Sequence, residues 1–239
     1  MKLRLVVPAA FLALAGANAV SASRVVGAFA AHGGGHRGLL ALHAVLQTAI
    51  ALAFAFFTVQ RSQPRRRARR PLAFLACAVA MLAVVPAAGP SAGTPSALLL
   101  AGDAVAVAGS LWIFASVLAL GRCFGVLPEA RGLVTRGPYR LVRHPVYLGE
   151  IVALAGLTLA APALSHLAIL AVFVLAQLTR MRFEEAALTE AFPEYAAYAA
   201  RTPRLVPGRR VAQGTALGAP GLAHVPHFVR VPIPGQMDD

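Results

Sequence analysis

The chain has 239 residues, 58% of them hydrophobic and 13% charged, with a formal net charge of +13. Its mean hydropathy of +0.69 argues against a water-soluble core, because so much apolar surface needs lipid to face. The basic excess does not mark a nucleic-acid binder, since the arginines lie between apolar runs rather than on one face interleaved with exposed aromatics.

Six apolar segments follow in chain order, and they predict an all-α, polytopic integral membrane helical bundle of five or six transmembrane helices. Each crossing of a hydrocarbon core of roughly 30 Å takes about 20 residues. The first segment runs from Leu5 to Val20. Lys2, Arg4 and the small residues Ser21, Ala22 and Ser23 give it the look of a secretory signal peptide, but the apolar runs after it favour a retained first helix. The second, Leu39 to Val59, leads into a basic stretch, Gln60 to Arg70, with Arg61, Arg65, Arg66, Arg67, Arg69 and Arg70. Charge asymmetry between short loops assigns that stretch to the cytoplasm.

The third segment, Pro71 to Ala88, precedes an uncharged loop, Ala88 to Ser96. The fourth, Ala97 to Leu120, precedes a second basic segment, Gly121 to Arg143, so alternate loops agree on one topology. Asp103 is the one acid inside the fourth segment and is expected near the far membrane interface; Trp112 reads as packing. The fifth and sixth, Val146 to Leu164 and His166 to Leu178, are short, and Pro162, Ser165 and His166 mark a tight hairpin between them. Arg180 to Arg201 then turns polar and reads as an amphipathic cytoplasmic helix, with Leu188, Phe192 and Tyr195 at helical spacing and Pro193 as its break. Gly208 to Asp239 is rich in Gly and Pro and reads as a disordered tail. The expected organisation is supporting helices over 1–120, a cytoplasmic C-terminal catalytic module over 121–208, and a tail over 209–239.

The stretch Gly137 to Glu150, GPYRLVRHPVYLGE, is the densest polar cluster beside an apolar segment. Tyr139, Arg140, Arg143, His144 and Tyr147 lie within nine positions, and Pro138 and Pro145 prevent one continuous helix. Irregular backbone at membrane depth must be buried in protein or line a polar cavity, so the break itself argues for a pocket. Pro145 suits the first turn of the next helix, whose N-terminus would favour a carboxylate or phosphate beside Arg143 and His144. The plainer reading is that Arg140 and Arg143 anchor the helix at the headgroups. Arg180 and Glu184 share one helical face with Glu185 one step around; as a mutual pair they would contribute only about 0.3–0.5 kcal/mol, which favours a ligand as their partner. Cys77 and Cys123 have no metal or redox spacing, and the seven histidines include no HExxH pair, so no metal is expected.

The run LVTRGPYRLVRHPVYLGE, then Arg180 with Glu184-Glu185, then FPEYAAYAARTPRLVPG, resembles the isoprenylcysteine carboxyl methyltransferase family over Arg131 to Gly208. These are membrane methyltransferases related to phospholipid methyltransferases. The resemblance implies S-adenosylmethionine as cofactor, a lipid or isoprenoid-like substrate, no nucleic-acid partner, and a site facing the cytoplasm of a bacterial inner membrane. It implies cofactor contacts from Leu133, Val134, Tyr139, His144, Pro145, Val146, Tyr147 and Glu184. It also places Arg180 beside the methyl acceptor as the catalytic residue, where a bidentate guanidinium would orient a carboxylate. Arg131 and Gly132 depart from the family, which often carries a polar residue such as histidine in that stretch. Three other readings stand beside this one. Phospholipid N-methylation would use the same module with an amine acceptor. A sterol-type reductase using NADPH is suggested by RHPVYLGE with Glu150, but the glutamate pair and RTPRLVPG fit it poorly. The third is a non-enzymatic membrane scaffold.

Overall fold

Every apolar segment becomes a helix in the computed structural model, which describes residues 3–67, 71–83 and 94–207. The tail over 209–239, Arg69 and Arg70, and most of the uncharged loop before Ser96 lie outside the described residues. Helix α1 (Leu3–His32) and helix α2 (Gly35–Gln60) form an antiparallel hairpin. The turn needs Gly33 and Gly34, whose φ angles of +63° and +96° are strained for a residue with a Cβ. The first segment was expected to end at Val20, but α1 continues through Ser21 to Arg24, because small and polar residues on an exposed face do not stop a helix.

Helices α3 (Pro71–Ala83), α4 (Ser96–Leu120), α5 (Pro145–Ala160), α6 (Leu164–Ala191) and α7 (Tyr195–Arg201) complete the bundle. Four helices, α1, α2, α4 and α6, are long and apolar enough to cross a membrane. Helix α3 is shorter in its described part, and α5, with 16 residues, reaches about 24 Å. The expected hairpin is therefore asymmetric. Its second arm is not short, since α6 runs unbroken for 28 residues and takes in Arg180 to Glu190, which was expected to begin a separate helix. Arg, Glu, Ala and Leu are all strong helix formers, so hydropathy changes there while helicity does not. The break falls at Phe192-Pro193, where the proline was expected to act.

Two-residue strands β1 (Arg66–Arg67) and β2 (Glu129–Ala130) pair antiparallel, and no other strand occurs among the described residues, so the fold is all-α. The pairing matters for topology. With the Ser62 amide donating to the Arg122 carbonyl (2.9 Å) and the Arg65 amide to the Ala130 carbonyl (2.8 Å), it puts both basic segments at one end of the bundle.

The tightest packing joins α4 to α5. Gly102, Ala106, Gly109 and Ile113 on α4 oppose Gly149, Ala153, Gly156 and Ala160 on α5 in antiparallel order. A Cβ added to Gly102 would lie 2.5 Å from the Ala160 amide nitrogen, and one added to Gly109 would lie 2.5 Å from that of Ala153. Between lipid-embedded helices, where apolar burial drives little, such backbone contact supplies the van der Waals attraction. Around this seam, Ile50, Ile113, Val117 and Ala153 bring in α2, while Ala80, Leu154, Phe173 and Ala176 bring α3 and α6 together. Leu12, Leu52, Phe56, Leu111, Leu118 and Leu175 are exposed, as lipid-facing positions should be.

Candidate active site

At the end of the bundle that carries both basic segments, α5 begins as expected. His144 is the N-cap, Pro145 occupies the first turn, and no side chain caps the helix, so the amides of Val146 and Tyr147 remain as first-turn donors. A single turn of 3-10 helix over Gly137–Arg140 leads in, starting from Gly137 at φ +59°. The chain after α7 returns to brace this entry: the Arg143 amide donates to the Pro203 carbonyl at 2.8 Å and the His144 amide to the Arg204 carbonyl at 3.2 Å.

Helix α5 turns Tyr147 and Glu150 toward α6, which answers with Gln177, Arg180 and Glu184. These positions are three and four apart and so share one face of each helix. The Tyr147 hydroxyl donates to Glu184 Oε2 at 2.6 Å, and the Arg180 guanidinium carbon stands 4.8 Å from the centre of the Tyr147 ring, a cation–π contact. Arg180 is buried; its Nη1 donates to Gln177 Oε1 at 2.8 Å and its Nη2 to the Val126 carbonyl at 3.1 Å. Gln177 in turn donates to Glu150. The pairing of Arg180 with Glu184 considered from sequence is not formed.

Glu184 and Glu185, adjacent in sequence, have opposite situations. Glu184 is half-buried, accepts from Tyr147 and makes no ion pair among the described residues. Glu185 is held by three groups: Arg143 Nη1 at 3.0 Å, His144 Nε2 at 3.0 Å, and Arg204 through both of its carboxylate oxygens. His144, buried, also stacks on Tyr147 with ring centroids 5.5 Å apart. Its Nε2 faces a protein carboxylate, which differs from the expectation that it would meet a carboxylate of the cofactor.

The remaining sequence-derived positions divide into two groups. Tyr139 is buried; its carbonyl accepts from the Tyr198 hydroxyl at 2.7 Å, and burial, with the Glu184 charge second, pushes its phenol well above the ordinary value. Burial likewise raises Tyr198, and it pushes Tyr195 up to about 12, so all three phenols stay neutral donors at physiological pH. Leu133 packs beside Ala187, Phe192 and Tyr195 in the cluster that seats α7, and Val134 is half-buried in the loop. Pro145 is fully buried, and Val146 packs toward Ile50 and Val117 in the α2–α4 core, away from the Tyr147 face. Arg131 is buried and pairs with Glu129 and the Ser62 carbonyl, a brace for the strand pair. Sequence reasoning placed Arg143 beside the start of α5 but left out Gln177 and Arg204 as parts of the site; the signal for Arg204 was the RTPR motif itself.

Asp103 faces the bundle interior near the end remote from the basic segments. It is 2% exposed and bonded to His36 in the first turn of α2. Together with Thr158 and His166 the pair lines a largely aliphatic cavity of about 230 Å³ at the opposite end of α5 from Tyr147.

An all-α membrane bundle with this site defines a polytopic membrane protein whose polar residues converge at one end of a helix pair. Residues 97–195 match the phospholipid methyltransferase family, a family of membrane methyltransferases, in agreement with the resemblance to isoprenylcysteine carboxyl methyltransferases. Two curated relatives carry other names. The cobalt-zinc-cadmium resistance protein CzcN of Cupriavidus metallidurans is 38% identical over 99 residues, 41% of this chain and 44% of that protein. The nickel-cobalt-cadmium resistance protein NccN of Alcaligenes xylosoxydans xylosoxydans is 36% identical over 107 residues, 44% of this chain and 46% of that protein. The chain thus spans less than half the length of the curated relatives it matches. Among the described residues no group of three or more His, Cys, Asp or Glu side chains is placed to hold a metal ion.

Proposed function

We propose that this chain is an integral membrane methyltransferase that draws on S-adenosylmethionine and methylates a lipid-borne or isoprenoid-like acceptor where α5 and α6 meet, on the cytoplasmic side of a bacterial inner membrane. The observation that carries the reading is the contrast within the glutamate pair. Glu185 meets Arg143, Arg204 and His144, whereas Glu184, bonded to Tyr147 and half-buried, makes no ion pair among the described residues. A carboxylate kept in place with no cation in direct contact, Arg180 reaching it only at longer range, suits a ligand's ammonium.

The residues fit the cofactor in kind. Glu184 would hold positive charge, the uncapped start of α5 would receive the ligand's carboxylate, and Tyr139 and Tyr147 offer neutral aromatic faces. Bound there, the cofactor supplies an electrophilic methyl on a sulfonium, a reaction that asks the protein for alignment and exclusion of water rather than acid–base work. Isothermal titration of the detergent-purified chain with S-adenosylhomocysteine tests this, and Glu184→Gln is expected to weaken binding about tenfold. Binding of NADPH in its place would move the site to the reductase class; binding of neither would leave a scaffold.

Two acceptor chemistries compete at Arg180. A carboxylate acceptor is supported by the guanidinium itself, which would align it through donors not already engaged. An amine acceptor is supported by the setting: Glu150 and Glu184 are both within electrostatic reach of Arg180, two acids against one cation. Labelled methyl groups transferred to a lipid extract separate the two, because a methyl ester releases its label in mild base and an N-methyl group does not. For either acceptor, Arg180→Lys is expected to lower transfer about 100-fold with cofactor binding retained, since an ammonium cannot span Gln177, Val126 and the Tyr147 ring together. Wild-type turnover in that variant removes Arg180 from the reaction.

A further inference from the structure

We propose that Glu150 and Gln177 are positioning residues that act through Arg180, forming a carboxylate–amide relay that fixes the guanidinium against Tyr147 and supplies its counter-charge. The proposal rests on the reading of Arg180 as the acceptor-side group of a membrane methyltransferase.

Arg180 presents an electrostatic problem. It is 9% exposed on a helix apolar enough to span a membrane, and no carboxylate lies within ion-pair distance of it among the described residues. An arginine in that setting needs compensation. The groups around it are neutral: the Gln177 amide oxygen at 2.8 Å, the Val126 carbonyl at 3.1 Å, the Tyr147 ring at 4.8 Å and the nearby Cys77 thiol. Carboxylates stand one side chain further on: Glu150, to which the Gln177 amide nitrogen donates, and Glu184, to which the Tyr147 hydroxyl donates.

Gln177 is wholly buried, and both ends of its amide are committed. The oxygen faces a guanidinium, which can only donate, and that neighbour dictates the orientation of the amide, leaving its nitrogen to donate to Glu150. Glutamate here would set two acids together, and an apolar residue would strand both the guanidinium and Glu150. The relay also crosses between helices. Tyr147 and Glu150 are three apart on α5, Gln177 and Arg180 three apart on α6, and each residue of one pair is bonded to or stacked on a residue of the other. Arg180 is thereby held from both helices, and the plane of its guanidinium follows α5. Glu150, the last residue of RHPVYLGE, gains a role that the cofactor contacts leave unassigned.

A purely structural tie between α5 and α6 would use the same bonds, so the test must separate the two. Glu150→Gln keeps an acceptor for Gln177 and removes the charge, while Gln177→Met keeps the volume and removes the amide. Each is made in the full chain alone and in the Arg180→Lys background, and two quantities are measured: affinity for S-adenosylhomocysteine, and labelled methyl transfer to a lipid extract. The expected result is affinity within about twofold of wild type for the single variants, with transfer down roughly tenfold, and less than about twofold further loss when either is added to Arg180→Lys. An undiminished tenfold loss in the Arg180→Lys background would show action independent of Arg180 and overturn the relay. A parallel fall in cofactor affinity would overturn it in favour of the structural tie. A wild-type chain that neither binds S-adenosylhomocysteine nor transfers methyl overturns the reading of the site itself, an outcome distinct from either.

Discussion

Gly156→Leu is expected to yield no folded, monodisperse protein after detergent extraction, while Gly16→Leu behaves as wild type. Both glycines lie inside apolar helices, so hydropathy ranks the two changes as equally harmless. Their surroundings differ completely. A Cβ at Gly16 meets nothing within 4 Å, whereas one at Gly156 runs into the backbone of α4, with the Ala106 Cα at 2.9 Å. Backbone cannot swing aside as a side-chain tip can, so α5 must move bodily away and lose the seam from Gly102–Ala160 to Ile113–Gly149. Gly156→Ala should sit between, with overpacking of about 1–3 kcal/mol and a lower thermal midpoint. Size-exclusion profiles and melting of the three variants provide the check; a folded Gly156→Leu protein would mean that the seam does not hold α5.

That seam shows where hydropathy stops being informative. The six apolar segments were legible as helices from composition, and four of them have the length that lipid imposes. Which helices touch was not legible that way. Leu and Ala score alike as apolar, yet Leu111 and Leu118 face outward while Gly102, Ala106 and Gly109 on the same helix face α5. The small-residue spacing was present in the sequence as a signal of close approach, but the pairing of one stripe with another arises only when two helices meet. The extent of α6 was missed for a related reason: the edge of the apolar run at Leu178 marks where the surroundings change, and the helix ends only where Pro193 removes a donor.

Within the site, the residue types were legible and their partners were not. Pro145 and His144 signal a helix start by local chemistry alone, and the start lies there. Glu184 and Glu185 are about 100° apart around α6, enough to send one to Tyr147 and the other to the group of Arg143, His144 and Arg204, but sequence offers no way to choose between them. Val146, one step from Tyr147, turns toward the α2–α4 core for the same angular reason. Arg204 arrives from beyond α7, and its contact depends on the whole path of the chain back to Arg143.

Replacement of Glu185 is the second change with a large expected effect. Arg143, His144 and Arg204 come from the loop before α5, its N-cap and the segment after α7, and the Glu185 carboxylate is the group on which all three converge. Its side chain is 12% exposed and that of His144 is 3% exposed, so water cannot fully replace the lost acceptor. Removing one partner from such a buried array costs about 3–5 kcal/mol, because the two arginines left behind lose their carboxylate and repel each other. For a chain of this size that corresponds to a fall in melting midpoint on the order of 10 °C for Glu185→Ala. Arg204→Ala should cost far less, about 0–1 kcal/mol, since its side chain is 40% exposed and Arg143 and His144 keep their acceptor. Glu185→Gln retains acceptor oxygen without the charge and should fall between them. The order of the three midpoints is the decisive measurement. If Arg204→Ala proves as damaging as Glu185→Ala, the closing segment rather than the carboxylate holds the start of α5. If all three melt with wild type, the main-chain bonds from Arg143 and His144 to Pro203 and Arg204 suffice on their own.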